Sequence, residues 1–103
     1  MRLATTVPTQ ALYFMNDPFV HAKAAKFASR LQTARPDDPQ RIEQAWKDAL
    51  GRSPTDVERE EALRFLDDYR AGLIGARVDN ADLRALAACV RTLFGSNEFV
   101  FLD

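Results

Sequence analysis

The chain's single histidine, His21, follows Asp17 by four residues in the stretch QALYFMNDPFVH, residues 10–21. On one helix that spacing sets a carboxylate and an imidazole face to face, as half of a metal site or as an acid–base pair. A zinc site wants three or four ligands, and no second His or Cys stands nearby, so metal binding is not the expectation. A mechanical reading accounts for the same residues. Asp17 precedes Pro18, which supplies a capping acceptor and a preset φ for a first helical turn. Asn16 and Asp17 then mark the joint between two helical segments, and His21 is a partly exposed first-turn residue.

The remaining reactive groups form no constellation. Cys89 is the only cysteine and lies at helical spacing from Leu86 and Leu93, as an inert buried thiol would. Asp67 and Asp68 are adjacent, so on a helix they point about 100° apart and do not converge on one substrate. The sequence has no C-x-x-C, C-x-x-C-H or H-E-x-x-H, and its four glycines are too scattered for a phosphate loop. No catalytic residue, metal or cofactor is expected.

Composition narrows the partners. A chain of 103 residues, 47% apolar, suffices for one compact domain. Fourteen basic residues against fifteen acidic ones leave a net charge of −1, with no field to gather a polyanion. Arg77, Arg84 and Arg91 recur every seven residues, as on a helix-turn-helix reader, but Asp79 and Asp82 dilute that stripe, so nucleic acid is not the expected partner. The apolar runs ALYFM and FVFL are far shorter than the roughly 20 residues a spanning helix needs, so membrane insertion is not expected. The N-terminal MRLATTVPTQ lacks the apolar region of a secretory signal.

Periodicity predicts an all-α bundle of four main helices with short helical or extended ends. In PFVHAKAAKFASRLQTA the stripe is Val20, Ala24, Phe27, Ala28 and Leu31, capped by Asp17. In DPQRIEQAWKDALG, Ile42, Ala45, Trp46, Ala49 and Leu50 share a face, with Asp38 as cap, Pro39 at N1 and Gly51 beyond the end. SPTDVERE carries a capping box at Thr55 and Glu58. The helix it opens should bury Ala62, Phe65, Leu66, Tyr69 and Leu73, with Glu60–Arg64 and Arg64–Asp68 paired along the wet side and Gly72 and Gly75 weakening its end. The last long helix should bury Leu83, Leu86, Ala87, Val90 and Phe94, with Asp79 or Asn80 as cap and Gly95 as stop. EFVFLD has no second strand to pair with and reads as a helical turn or an extended tail.

Taken in order, TTVPTQALYFMNDPFV, RIEQAWKDALGRSPTDVERE and SNEFVFLD resemble the C-terminal part of the planctomycete-type domain of unknown function 1553. The matching positions are Thr6, Pro8, Gln10, Ala11, Leu12, Asn16, Pro18, Phe19 and Val20, then Arg41, Ile42, Trp46, Leu50, Gly51, Arg52, Pro54, Thr55 and Glu58, and finally Ser96, Asn97, Glu98 and Phe99. Relatives often open the last long helix with a tryptophan, where this chain has Leu83 to Leu86. The resemblance implies that the chain, residues 1–103, is one helical domain at the C-terminal end of a large exported protein with a cytochrome c-like region upstream. It carries over no catalytic residue.

The expected role is therefore a noncatalytic structural or interaction module whose partner is the upstream part of the same polypeptide. A homodimer of the isolated fragment is the second expectation. The rival is part of an enzyme whose active site is completed by upstream sequence. The positions to watch are Asn16, Asp17, Phe19, Arg52, Asn97, Glu98 and Phe99. Four of them also have a structural role open to them: Asn16, Asn97 and Glu98 as caps, Arg52 as a donor to carbonyls at a helix C-terminus. Leu12, Tyr13, Phe14 and Phe19 at one end and Phe99, Phe101 and Leu102 at the other should pack together, any remaining patch docking the parent or a second copy.

Overall fold

The structure, a computed structural model, describes residues 17–96. Four helices run through them, as periodicity requires: α1 (Pro18–Ala34), α2 (Asp38–Leu50), α3 (Asp56–Gly75) and α4 (Ala81–Phe94). The described residues hold no strand. The proposed packing of the two chain ends and the fate of EFVFLD lie outside them.

Helix α1 starts where the Asp-Pro pair places it. The Asp17 carboxylate accepts the Phe19 N–H at 2.7 Å, and Pro18 takes the first position, where a missing N–H costs nothing. Val20, Ala24, Ala28 and Leu31 are buried as one stripe. Phe27 is half-buried and meets Phe94 of α4 edge to face, ring centroids 5.7 Å apart.

Helix α2 corrects the expected cap by one residue. Asp37, not Asp38, is the N-cap: its backbone is extended and its carboxylate accepts the Gln40 N–H at 3.0 Å. The shift leaves the Asp38 carboxylate free to meet Arg70 of α3 at 2.9 Å. Gly51 closes the helix at φ 74°, a left-handed conformation that glycine adopts without steric cost.

Helix α3 opens on the expected capping box, with Glu58 N–H to Thr55 Oγ1 at 3.1 Å and Thr55 N–H to Glu58 Oε1 at 2.8 Å. Its buried stripe is narrower than predicted. Ala62 and Leu66 are buried, Phe65 and Leu73 half-buried, and Tyr69 stacks on Phe65 at 5.5 Å while staying 37% exposed. The ion pairs along the helix run i,i+3, Asp56–Arg59 at 3.0 Å and Asp67–Arg70 at 3.4 Å, in place of the expected i,i+4 pairs through Arg64. The helix ends in a Schellman turn: the Val78 N–H reaches back to Leu73 O and Arg77 stands at φ 58°.

Helix α4 is the centre of the bundle. Every residue from Ala85 to Val90 and from Thr92 to Phe94 is buried, so it is apolar nearly all round where periodicity suggested one stripe; Leu83, from that stripe, is half-buried. The extra burial takes in Leu93 and Thr92 and the small residues Ala85, Ala88 and Cys89, which let neighbouring helices close in without adding to an amphipathic signal. Asn80 is the N-cap, but it stands at φ 59° and its side chain makes no cap bond. Helices α1, α2 and α3 all pack on α4, whereas α1 and α3 do not touch. Trp46 of α2, 1% exposed, lies with Ile42 and Ala45 in the shared core.

Candidate functional site

Of the positions singled out in the sequence, Asn16, Asn97, Glu98 and Phe99 lie outside the described residues. The other three fall on two separate turns. Asp17 and Phe19 open α1, while Arg52 sits in the link between α2 and α3.

Arg52 takes a carboxylate across the link as its partner. Its guanidinium takes Glu58 in a fork, Nη1 to Oε1 at 2.8 Å and Nη2 to Oε2 at 2.9 Å, with a further bond from Nη1 to Ser53 O at 3.1 Å. Glu58 is also the acceptor of the capping box, so Arg52 and the Thr55 N–H share one carboxylate. Two charge-assisted bonds outweigh partial burial and hold the Glu58 carboxyl down at about 2. The motif G-R-x-P-T-x-x-E is thus a clasp that fixes the α2–α3 corner.

Phe19 has no such task. One turn after a capped start, Val20 enters the core and Phe19 turns outward, 62% exposed, with Lys23 Nζ 5.3 Å from its ring centroid. His21 is exposed and faces no metal-binding set. Among the described residues no three His, Cys, Asp or Glu side chains could hold a metal ion together.

Sequence reasoning missed the ionic seam that ties α3 to its neighbours. Arg70 reaches Asp38 of α2 at 2.9 Å and Asp67 on its own helix at 3.4 Å. Its Nε lies 2.5 Å from Asp82 of α4, yet without the alignment of a hydrogen bond, so that contact is Coulombic. Arg59 joins Glu43 of α2 at 3.1 Å. A hydrogen bond with Ser53, and then one with Arg59, hold Glu43 below the usual carboxylate range. The doublet Asp37-Asp38 was the available signal, since only one of two adjacent carboxylates can cap.

A shallow groove of about 300 Å³ runs beside this seam, bordered by Arg35, Glu43, Gln44, Lys47 and Arg59. These groups satisfy one another: Arg35 donates to Gln44 Oε1 at 2.8 Å, and Lys47 stands 3.8 Å from Glu43. Cys89, the remaining nucleophile, is buried, and loss of solvation pushes its thiol up to about 12, far from a thiolate at neutral pH. The charged groups bordering the groove, Glu43, Lys47 and Arg59, are thus engaged with one another.

Residues 1–66 match the family described as PSD1, protein of unknown function (DUF1553). The chain belongs to this family. No curated protein and no solved structure matches it. Within PSD1, the matched span ends on Leu66 and so takes in α1, α2, the Arg52–Glu58 clasp and the first half of α3. No helix among the described residues is long and apolar enough to cross a membrane.

Proposed function

We propose that this PSD1 domain is a noncatalytic interaction module, a single C-terminal helical unit of a larger exported protein that docks on the upstream part of the same polypeptide. The observation that carries the reading is the contrast between Phe19 and its motif neighbours. Asp17, Arg52, Thr55 and Glu58 are engaged in caps and a clasp, whereas Phe19, two residues after Asp17, contributes its ring to solvent. An aromatic left outside the core beside a rigid capped turn is what a docking anchor needs, because preorganisation lowers the ordering cost of binding.

Titration calorimetry of the upstream part of the parent with this chain tests the reading. Binding weakened at least about tenfold by Phe19→Ala, a loss in the range of an interface hot spot, supports it. No binding, or binding indifferent to Phe19, contradicts it.

A further inference from the structure

Charge is unevenly divided between the two outer helices, and the net value of −1 conceals it. Between Pro18 and Pro36 the sequence places Lys23, Lys26, Arg30 and Arg35 and no acidic residue. Lys23, Lys26 and Arg30 stand at i, i+3 and i+7, so they form one stripe on the side of α1 away from Ala24 and Ala28. All three are exposed and none joins an ion pair among the described residues; Lys23 and Arg30 lie against the rings of Phe19 and Phe27. The outer side of α3 carries the opposite sign. Glu60, Asp67 and Asp68 are exposed there, interrupted by Arg64. Because α4 separates α1 from α3, the two faces never meet within one molecule.

We propose that the basic face of α1 docks on the acidic face of α3 of a second copy, head to tail. The spacings agree. Lys23 to Arg30 and Glu60 to Asp67 both cover seven residues, about 10.5 Å of helix. With the helices parallel and Lys23 facing Glu60, Phe19 falls opposite Asp56, one residue before Val57, and the Phe19 and Val57 side chains are 62% and 64% exposed. The pairing is heterologous, so each added copy leaves one basic and one acidic face open and the assembly grows without a fixed stoichiometry. Its attraction is between exposed charges and is screened by salt.

Sedimentation velocity of the full chain over a concentration series tests this at about 20 mM and about 500 mM salt, where screening lengths differ severalfold. The expected result is a sedimentation coefficient that rises with concentration at low salt and stays at the monomer value at high salt. The variants K23E/K26E/R30E and E60K/D68K change exposed side chains, and each should keep the wild-type helical circular dichroism spectrum. Each alone should stay monomeric, and their mixture should associate again at low salt. A wild-type chain that is monomeric throughout, association retained by either variant alone, or a mixture that fails to associate overturns the proposal. So does a monomer that binds phosphatidylglycerol vesicles through the α1 face, which would assign that face to an anionic lipid surface.

Discussion

Arg52 and Glu58 meet through two nearly parallel bonds of 2.8 and 2.9 Å while the same carboxylate accepts the Thr55 N–H. Six residues apart in sequence, they stand on either side of the link between α2 and α3. A corner held this way needs no large core of its own. Pro54, buried, and the capping box supply the rest.

The clasp predicts a pH dependence. Glu58 lies at about 2 in the folded chain against an ordinary 4.5, so its stabilisation is complete above 4.5 and is lost as pH falls towards 2. Arg52→Ala should cost about 1–2 kcal/mol at neutral pH, reduced from the full value of a charged bond by partial exposure. Urea denaturation across the acid range should show a shallower loss of stability in Arg52→Ala than in the parent chain.

Trp46 should behave unusually for a buried tryptophan. It is 1% exposed, yet its indole N–H has no hydrogen-bond partner among the described residues. Trp46→Ala should cost about 3–5 kcal/mol through the cavity it leaves. Trp46→Phe should cost under about 2 kcal/mol, because it also removes an unsatisfied donor. Chemical denaturation of both variants measures the difference.

Arg77 occupies a left-handed position, φ 58°, at the end of α3, where glycine is the usual residue. Arg77→Gly should stabilise the chain by about 0.5–1 kcal/mol, the relief of the Cβ clash exceeding the added freedom of the unfolded state. Asn80 shares the conformation, at φ 59°, but tolerates it better, so Asn80→Gly should gain less. Thermal melts of the two variants rank them.

Cys89 should resist thiol reagents in the native state. Buried in α4, its thiol is raised to about 12 by lost solvation, so both access and thiolate are wanting. A disulfide reagent should leave the native chain unmodified and titrate one thiol in urea.

How much of this was legible in the sequence depends on the range of the interaction. Asp17, Thr55, Glu58 and Gly51 act within one turn, and their types and spacing locate the caps directly. The central place of α4 was not legible, because Ala85 and Ala88 carry little periodic signal although both are buried. The Arg70 seam was hidden for another reason. Asp38 and Arg70 are 32 residues apart, and only the fold brings them within 2.9 Å. Arg52 was recognised as a position to watch, but Glu58 was not read as a partner, since the turn that swings this carboxylate into reach is not visible in the spacing alone.

The central claim is that Phe19 is a docking anchor for the upstream part of the parent protein. Hydroxyl-radical footprinting of the unaltered protein tests it most directly, comparing oxidation of the Phe19 ring in the isolated chain and in the intact parent. At about 500 mM salt, where self-association through α1 is screened, Phe19 should be readily oxidised in the isolated chain and protected severalfold in the parent, while Ile74, 61% exposed at the far end of α3, serves as the reference. Equal oxidation of Phe19 in both would contradict the account.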